Sequence, residues 1–325
     1  MSAEFEPHPL LKNPHLMTLA GTFWRRRFRL APARERLFRV EEGTQIRGWC
    51  HWQPGEARDK PVLVLVHGLE GSSESGYMLG IAELAFRRGF HVVRLNQRNC
   101  GGSQQLTPTL YNSGLSGDYR AVLDQLANED RFRAICFAGY SMGGNLVLKM
   151  EGELGGAAPA ALRAVCAVCP AVDLAACATA LEQRGNYIYQ RHFVRSLMKN
   201  YTRKAALFPG RYARDGFGAV RTVREFDEKI TAPCFGFRDA ADYYERSSAR
   251  SVLGRIRVET LVVAAQDDPF VPYAVTLAAG VQENPAITFE APRHGGHCAF
   301  ISRRGGSERF WAEKRIVEFC AAKCR

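Results

Sequence analysis

The chain has 325 residues, 46% of them hydrophobic, which is enough for a sizeable core. Its formal net charge is +11, but no nucleic-acid-binding motif accompanies this charge, so we expect no nucleic-acid partner. No run of about 18 apolar residues occurs, which excludes a predicted transmembrane helix. The opening MSAEFEPHPLLKNP has neither the charged nor the apolar region of a secretory signal, so we expect a cytoplasmic protein.

Ten cysteines are spread along the chain, and several lie within apolar runs such as RAVCAVCP. This pattern is typical of small buried hydrophobic residues in a reduced, cytosolic protein. Cys166 and Cys169 have C-x-x-C spacing, but in a strand they would point to opposite faces, and no second pair has ligand spacing. We therefore expect no metal and no organic cofactor.

Arginine is concentrated near the N-terminus, in residues 24–39 (WRRRFRLAPARERLFR), where aromatic side chains are interleaved with it. A solvated basic face is the favoured interpretation. Weak peripheral contact with an anionic membrane is the second, and contact with nucleic acid is a distant third.

Strand and helix patterns then alternate along the chain. Residues 36–53 alternate in polarity and predict an antiparallel edge pair, whereas residues 61–68 (PVLVLVHG) predict a strand buried on both faces. The elements predicted next are a helix at 77–88, a strand at 91–96, a helix at 116–128 capped by Ser116, a strand at 134–138, a helix at 145–154 and a strand at 163–170.

The pattern changes after Pro170, because residues 172–254 are helix-like, charged and aromatic. Strands at 257–265 and 286–291 and a helix at 307–320 then complete the sequence. We predict an α/β fold with a mostly parallel central sheet and helices on both faces. Residues 1–171 and 255–325 form its core, and residues 172–254 form a helical lid. The lid aromatics are Tyr187, Tyr189, Phe193, Tyr201, Phe208, Phe217, Tyr243 and Tyr244.

A nucleophile elbow is predicted at residues 139–144 (GYSMGG), which fit G-x-S-x-G between a strand and a helix. The glycines allow a tight turn, and Ser141 would be exposed at its tip. A serine nucleophile needs an imidazole base and an acid that orients this base, in the chain order Ser, Asp, His. Asp268 and His297 each follow a late strand and supply that order.

Each of these two positions has a neighbour of the same type. Asp267 is an alternative acid, but the pattern D-x-x-V-P begins at Asp268. His294 is an alternative base, but the two glycines before His297 allow its loop to approach the elbow. We favour Asp268 and His297, and we expect the neighbours to have supporting roles.

Two backbone N–H groups should stabilise the oxyanion of an acyl-transfer reaction. We predict Met142, which follows the nucleophile, and Leu69, in the loop after the first buried strand. His67 precedes the elbow and has the wrong order for the base, so we expect it to hydrogen-bond within the loop. Cys100 lies in a loop near the cleft, and we interpret it as an ordinary loop cysteine.

The chain resembles the YheT-like esterase family of the α/β-hydrolase superfamily, which is related to the mammalian alpha/beta-hydrolase domain proteins 1 and 3. The motifs behind this resemblance are FEPHPLLKNPHLMT (5–18), VHGLEGSSESGY (66–77), LNQRNCGGSQQLTPTLYNSGLSGDYR (95–120), GYSMGGN (139–145), FDEKITAPCFGF (226–237), DYY (242–244), DDPFVP (267–272) and HGGHCAF (294–300).

The resemblance implies a serine carboxylic-ester hydrolase with the triad Ser141, Asp268 and His297, acting on acyl esters or lipids. Short-chain esters and monoacylglycerols are the expected substrate classes. The alternatives are a thioesterase or acyltransferase, which shares the acyl-enzyme, and a catalytically silent lipid-binding scaffold. Met17 stands where the family often has glutamine, and we expect this difference to affect packing and not chemistry.

Overall fold

The computed structural model describes residues 4–55, 59–213 and 218–324. Eight strands form one sheet, with the spatial order β1-β2-β4-β3-β5-β6-β7-β8. The pairs β1–β2 and β2–β4 are antiparallel, and all other neighbours are parallel, which confirms the predicted sheet. The strands are β1 (Arg34–Glu41), β2 (Thr44–His51), β3 (Val62–Val66), β4 (His91–Asn96), β5 (Ile135–Tyr140), β6 (Leu162–Val168), β7 (Thr260–Val263) and β8 (Ile287–Glu290).

Strand β3 shows why this sheet has a hydrophobic core on each side. Its five residues are all fully buried. Val62, Val64 and Val66 pack into the core on one face, and Leu63 and Leu65 pack into the core on the other. Because successive side chains of a strand point to opposite faces, a continuous apolar run requires that both faces be covered.

Helices cover both faces of the sheet. α3 and α4 lie on one face, and α1, α2 and α11 lie on the other. The helices are α1 (Pro14–Phe23), α2 (Gly76–Arg87), α3 (Ser116–Asp124), α4 (Met142–Leu154), α5 (Leu174–Leu181), α6 (Tyr187–Leu207), α7 (Val223–Phe226), α8 (Ala232–Phe235), α9 (Ala240–Ser247), α10 (Tyr273–Ala278) and α11 (Trp311–Lys323).

The predicted cap of α3 is wrong. Ser116 is already inside the helix, and Leu115 occupies the N-cap position without a side-chain cap. The Ser116 hydroxyl instead donates to Glu153 Oε2 of α4 over 2.5 Å. The Ser116 hydroxyl therefore links α3 to α4 and does not cap the N-terminus of α3.

Helices α5 to α9 form one block between β6 and β7, which we call the helical insertion (residues 172–254). It has its own apolar core, in which Tyr201, Tyr243 and Tyr244 are buried. Tyr187 is exposed, and Phe217 of the predicted aromatic set lies outside the described residues. Among the residues that the structure describes, no helix combines the length and apolar character needed to cross a bilayer.

The arginine-rich segment is not a uniform basic face. Arg26 turns inward and forms an ion pair with the buried Glu313 of α11, with Nη2 and Oε2 2.7 Å apart. Arg36 pairs with Asp130. By contrast, Arg25, Arg27 and Arg29 are exposed.

Candidate active site

The turn between β5 and α4 consists of a single residue, Ser141. Its φ of 54° is unusual for a residue with a side chain and is typical of strained functional turns. Two glycines make the turn possible. A Cβ on Gly139 would lie 2.1 Å from the carbonyl oxygen of Gly143, and a Cβ on Gly143 would lie 2.5 Å from that of Val66. The sequence therefore produces a tight turn that places Ser141 at the carboxyl edge of the sheet.

Asp268 and His297 reach the same edge from the loops after β7 and β8. His297 Nε2 lies 2.9 Å from Ser141 Oγ, and His297 Nδ1 lies 2.8 Å from Asp268 Oδ2. The structure thus brings together the three residues that were predicted from the sequence. One imidazole connects a hydroxyl to a carboxylate, which is the geometry required to activate a serine.

The Asp268 carboxylate is fixed by the backbone of its own loop. Its Oδ1 accepts hydrogen bonds from the N–H groups of Phe270 and Val271, over 2.8 and 3.0 Å. The side chain is only 1% exposed. The ring of Phe270 packs against the His297 ring, with centroids 4.6 Å apart. The acid therefore has one orientation, and the imidazole is held against it.

The two alternative residues form a second pair beside the first. His294 Nδ1 lies 3.3 Å from Asp267 Oδ2, and Asp267 Oδ1 accepts the Gly296 N–H over 2.9 Å. Asp267 thus fixes the loop that carries His297. Both residues are more exposed than their counterparts in the first pair.

The electrostatic surroundings favour a positive charge on His297. Burial alone would lower the pKa of this imidazole, but the negative charges of the Asp268 carboxylate and of the neighbouring Cys298 in its thiolate form raise it well above its usual range. An imidazolium forms when the base takes the serine proton, so these groups stabilise the ion that catalysis would create.

The predicted oxyanion donors lie on the two segments that flank Ser141. Leu69 and Met142 line the same cavity as Ser141 and His297. A Cβ added to Gly68 would lie 3.2 Å from Ser141 Cβ, so the loop before Leu69 lies directly against Ser141.

His67 is fully buried in that loop and is separate from the Ser141 hydroxyl network. Its Nδ1 lies 2.8 Å from the Gly68 carbonyl oxygen, and its Nε2 accepts the Gln97 N–H over 3.1 Å. Burial lowers the pKa of His67 to about 4 despite the Gly68 hydrogen bond. His67 is therefore a neutral structural group.

A mainly apolar cavity extends from Ser141 beneath the helical insertion. It encloses about 1000 Å³ of space, including its open mouth. Ser141 and His297 form its floor, and Asp227 and Tyr244 of the insertion contribute polar groups to the wall. The apolar lining comes from residues of both the core and the insertion: Leu69, Leu110, Met142, Ala171, Leu174, Ala178, Leu181, Phe193, Leu197, Val223, Phe226, Phe270 and Val271.

One half-buried carboxylate joins the loop after β3 to the insertion. Glu70 follows Leu69, and its two oxygens accept hydrogen bonds from Tyr111, Ser196 and Asn200. Burial raises the pKa of Glu70, although these hydrogen bonds oppose the shift. Ser196 and Asn200 belong to α6, so the loop and the insertion are mechanically connected. Sequence reasoning missed Glu70, and only its position next to Leu69 could have indicated it.

Sequence reasoning also missed two thiols next to the imidazole. The Sγ atoms of Cys169 and Cys298 and one ring nitrogen of His297 all lie within 4.8 Å of one another. Such a group can hold a soft metal ion. However, both ring nitrogens of His297 already contact Ser141 and Asp268, so a metal would compete with that network. Cys100, like Cys169, is buried, and burial raises the pKa of its thiol well above its usual range.

The N-terminal helix supports the histidine loop from outside. Thr18 Oγ1 accepts the backbone N–H of His297 over 2.8 Å, and Met17 Sδ accepts that of Ile301 over 3.4 Å. Met17 is fully buried, in keeping with a packing role.

Comparison with known proteins agrees with this architecture. A profile of the family described as alpha/beta hydrolase fold matches residues 61–303. The chain belongs to this family. It is also 34% identical over 320 residues to "Putative esterase YheT" of Escherichia coli, a match that covers 98% of this chain and 93% of that protein. The resemblance inferred from the sequence is therefore confirmed.

More distant relatives broaden this comparison. The chain is 29% identical over 321 residues to "Medium-chain fatty acid ethyl ester synthase/esterase 2" of Saccharomyces cerevisiae, which covers 86% of this chain and 68% of the yeast protein. Among solved structures, a 2,6-dihydroxy-pseudo-oxynicotine hydrolase matches with a TM-score of 0.61 at 18% identity, covering 95% of this chain and 72% of the other. At 18% identity, the match to this solved structure shows the fold alone. The family is esterase- and lipase-like, and the chain is a member of it.

Proposed function

We propose that this protein is a serine carboxylic-ester hydrolase in which Ser141, His297 and Asp268 form the catalytic triad. One observation carries the proposal. The Ser141 hydroxyl, both ring nitrogens of His297 and the Asp268 carboxylate form a continuous series of contacts of 2.9 and 2.8 Å. A serine hydroxyl gains nucleophilicity from such an arrangement because the imidazole can accept its proton.

In the first half of the reaction, His297 Nε2 takes the Ser141 proton while Oγ attacks the ester carbonyl carbon. The N–H groups of Leu69 and Met142 then hydrogen-bond the developing oxyanion. Asp268 keeps Nδ1 of His297 protonated and stabilises the imidazolium. When the C–O bond breaks, His297 gives its proton to the leaving alcohol, and the acyl group remains on Ser141.

In the second half, a water molecule replaces the alcohol. His297 takes a proton from this water as its oxygen attacks the acyl carbon, and the same oxyanion donors act again. Collapse of the intermediate returns the proton to Ser141 Oγ and releases the carboxylic acid. This sequence needs neither a metal nor an organic cofactor, because the triad generates the nucleophile itself.

The cavity supports acyl esters as the substrate class. Its lining is largely leucine, phenylalanine, valine and alanine, which fits a hydrocarbon chain, and it begins at the nucleophile. We propose short-chain esters or monoacylglycerols as substrates, with residues 172–254 acting as a lid that selects the acyl chain.

Acyl transfer is the second candidate function. The name of the yeast relative joins ester synthesis to ester hydrolysis. An acyl-enzyme at Ser141 can be captured by an alcohol as well as by water, so the same residues serve both outcomes. We further propose a reducing, cytoplasmic location, because all ten cysteines are free thiols.

The test is hydrolysis of p-nitrophenyl esters of increasing acyl length by the purified protein, run beside acyl thioesters and with a competing alcohol. We expect saturable ester hydrolysis that survives exhaustive chelation. Cleavage of thioesters without cleavage of esters would assign a thioesterase, and preferential product formation with the alcohol would assign a transferase. A folded protein that cleaves neither class would be a binding scaffold, and the proposal would be wrong.

A further inference from the structure

The outer face of α1 is apolar and is left exposed by the described part of the chain. Eight large hydrophobic side chains are exposed among the described residues, and four of them lie between Leu10 and Phe23. Leu16, Leu19 and Phe23 are 53%, 37% and 75% exposed. Their i, i+3, i+7 spacing places them in one line along the helix. We call these three residues the α1 stripe.

The opposite face of α1 is fixed to the candidate active site. Thr18 accepts the His297 N–H, and a Cβ on Gly21 would lie 2.6 Å from the Ala299 Cβ. Because this inner face packs against the histidine loop, the helix cannot rotate to bury the stripe. The exposure of the stripe is therefore a property of the folded protein.

Two further exposed apolar side chains lie at the start of α6, next to a residue that contacts the N-terminal end of α1. The His15 ring stacks on Tyr189 of α6, with centroids 5.8 Å apart and an interplanar angle of 15°. The residues immediately before Tyr189 are Tyr187 and Ile188, which are 62% and 75% exposed. Tyr189 in turn contacts Phe270, which packs on His297. Tyr187 and Ile188 therefore lie within two residues of a direct contact between α1 and the helical insertion.

A basic edge follows the stripe. Residues 24–30 follow α1 without regular secondary structure, and Trp24 and Leu30 pack against the core. The alternate residues Arg25, Arg27 and Arg29 are exposed, and within the described part of the chain they form no ion pair. An amphipathic helix with adjacent arginines binds membrane interfaces, since its apolar side chains enter the acyl boundary and the cations contact anionic headgroups.

We propose that the α1 stripe, with Tyr187 and Ile188 and the basic edge of Arg25, Arg27 and Arg29, docks this protein reversibly on a lipid surface that carries anionic headgroups. Docking through α1 would place lipid next to the loop that carries His297. In this respect the inference rests on the proposed function and extends it to substrates held in a membrane. The basic residues involved are a subset of residues 24–39, because Arg26 and Arg36 are used within the fold.

The test is flotation with vesicles of phosphatidylcholine alone or of phosphatidylcholine mixed with phosphatidylglycerol. The wild-type protein should float with the mixed vesicles, and added salt should weaken the binding. Leu16→Ser/Leu19→Ser/Phe23→Ser should bind on the order of tenfold more weakly, because the apolar insertion is lost. Arg25→Gln/Arg27→Gln/Arg29→Gln should abolish the preference for phosphatidylglycerol. Leu207→Ser is the matched control, since it removes an equally exposed leucine at the other end of α6, and it should bind normally.

Circular dichroism melting of each variant separates loss of docking from loss of fold. Ser141→Ala should float like the wild type, so binding is measured independently of catalysis. If the folded stripe variant binds as well as the wild type, or if the wild type ignores anionic vesicles, the proposal is wrong. If the wild type is a dimer that the stripe substitutions dissociate and it does not float, the face is an interface between two copies, which also overturns the proposal.

Discussion

Two histidine–aspartate pairs lie side by side in the loops after β7 and β8, and they are built from almost adjacent residues. In the first pair, His297 and Asp268 are 2.8 Å apart, and their side chains are 13% and 1% exposed. In the second pair, His294 and Asp267 are 3.3 Å apart, and their side chains are 28% and 18% exposed.

The two pairs have the same chemistry and differ in position. Of the two, the first pair extends to the hydroxyl of Ser141, since His297 Nε2 contacts Ser141 Oγ. The second carboxylate oxygen of Asp267 accepts a hydrogen bond from the backbone N–H of Gly296, one residue before His297. In the proposed mechanism the first pair moves a proton, and the second pair holds the loop that carries His297. Residue type alone does not distinguish these roles.

The largest expected effect comes from removing the hydroxyl of Ser141, which the first pair contacts. Ser141→Ala should lower kcat for ester hydrolysis on the order of 10⁶-fold, because neither pair then has a nucleophile to activate. Circular dichroism should show an intact fold. A purified variant that keeps a tenth of the wild-type rate would show that the pairs do not act through Ser141.

Substituting each aspartate compares the pairs directly. Asp268→Asn should reduce kcat by roughly 10⁴-fold, since an amide favours the wrong imidazole tautomer. Asp267→Asn is the matched control and should cost far less, because it perturbs only loop support. Steady-state kinetics with one ester decides between them. A larger loss in Asp267→Asn would assign the second pair as the catalytic one.

His297 of the first pair lines the cavity, and other side chains of the cavity wall can be substituted while this pair is kept intact. Phe193 lines the cavity from α6, whereas Phe208, just after the same helix, packs in the insertion's own core. Phe193→Ala should change the preference between ester chain lengths by ~1–3 kcal/mol per methylene-sized contact, while a short acetate ester is still cleaved. Phe208→Ala should leave the preference unchanged. An equal loss on all chain lengths in Phe193→Ala would mean that this wall supports the triad and does not select the substrate.

The smallest expected effect concerns the Cys298 thiol, which lies next to His297 of the first pair. Catalysis needs a neutral His297, so kcat/KM should fall as the pH drops through the pKa of this residue. Because Cys298 helps to raise that pKa, Cys298→Ala should lower it and move the acidic limb of the profile to lower pH. Cys177→Ala, which changes another thiol at the cavity wall, should not move the limb. An unshifted or upward-shifted limb in Cys298→Ala would contradict this electrostatic account.

Much of the fold and of the site was predictable because the signals are local. The apolar run of β3 indicated a strand covered on both sides, and G-x-S-x-G between a strand and a helix indicated the position of Ser141. The pattern D-x-x-V-P distinguished Asp268 from Asp267, and the structure places Asp268 against the imidazole that contacts the serine. Each of these inferences uses residues within one element and the turn that follows it.

The features that were missed depend on contacts between distant segments. Cys169 and Cys298 meet only when the loop after β6 packs against the loop after β8. Arg26 became internal because α11 places Glu313 beside it. Ser116 looked like a cap, but a partner on α4 takes its hydroxyl. The α1 stripe was readable as i, i+3, i+7 spacing, but only the structure shows that this face stays exposed.

Covalent labelling with a fluorophosphonate probe tests most directly the claim that the first pair activates Ser141. The wild-type protein should gain one adduct, which peptide mapping should place on Ser141. His294→Ala should label at nearly the wild-type rate, whereas His297→Ala should label far more slowly, and Ser141→Ala should not label. Labelling that depends on His294, or an adduct that persists on another residue in Ser141→Ala, would contradict the assignment.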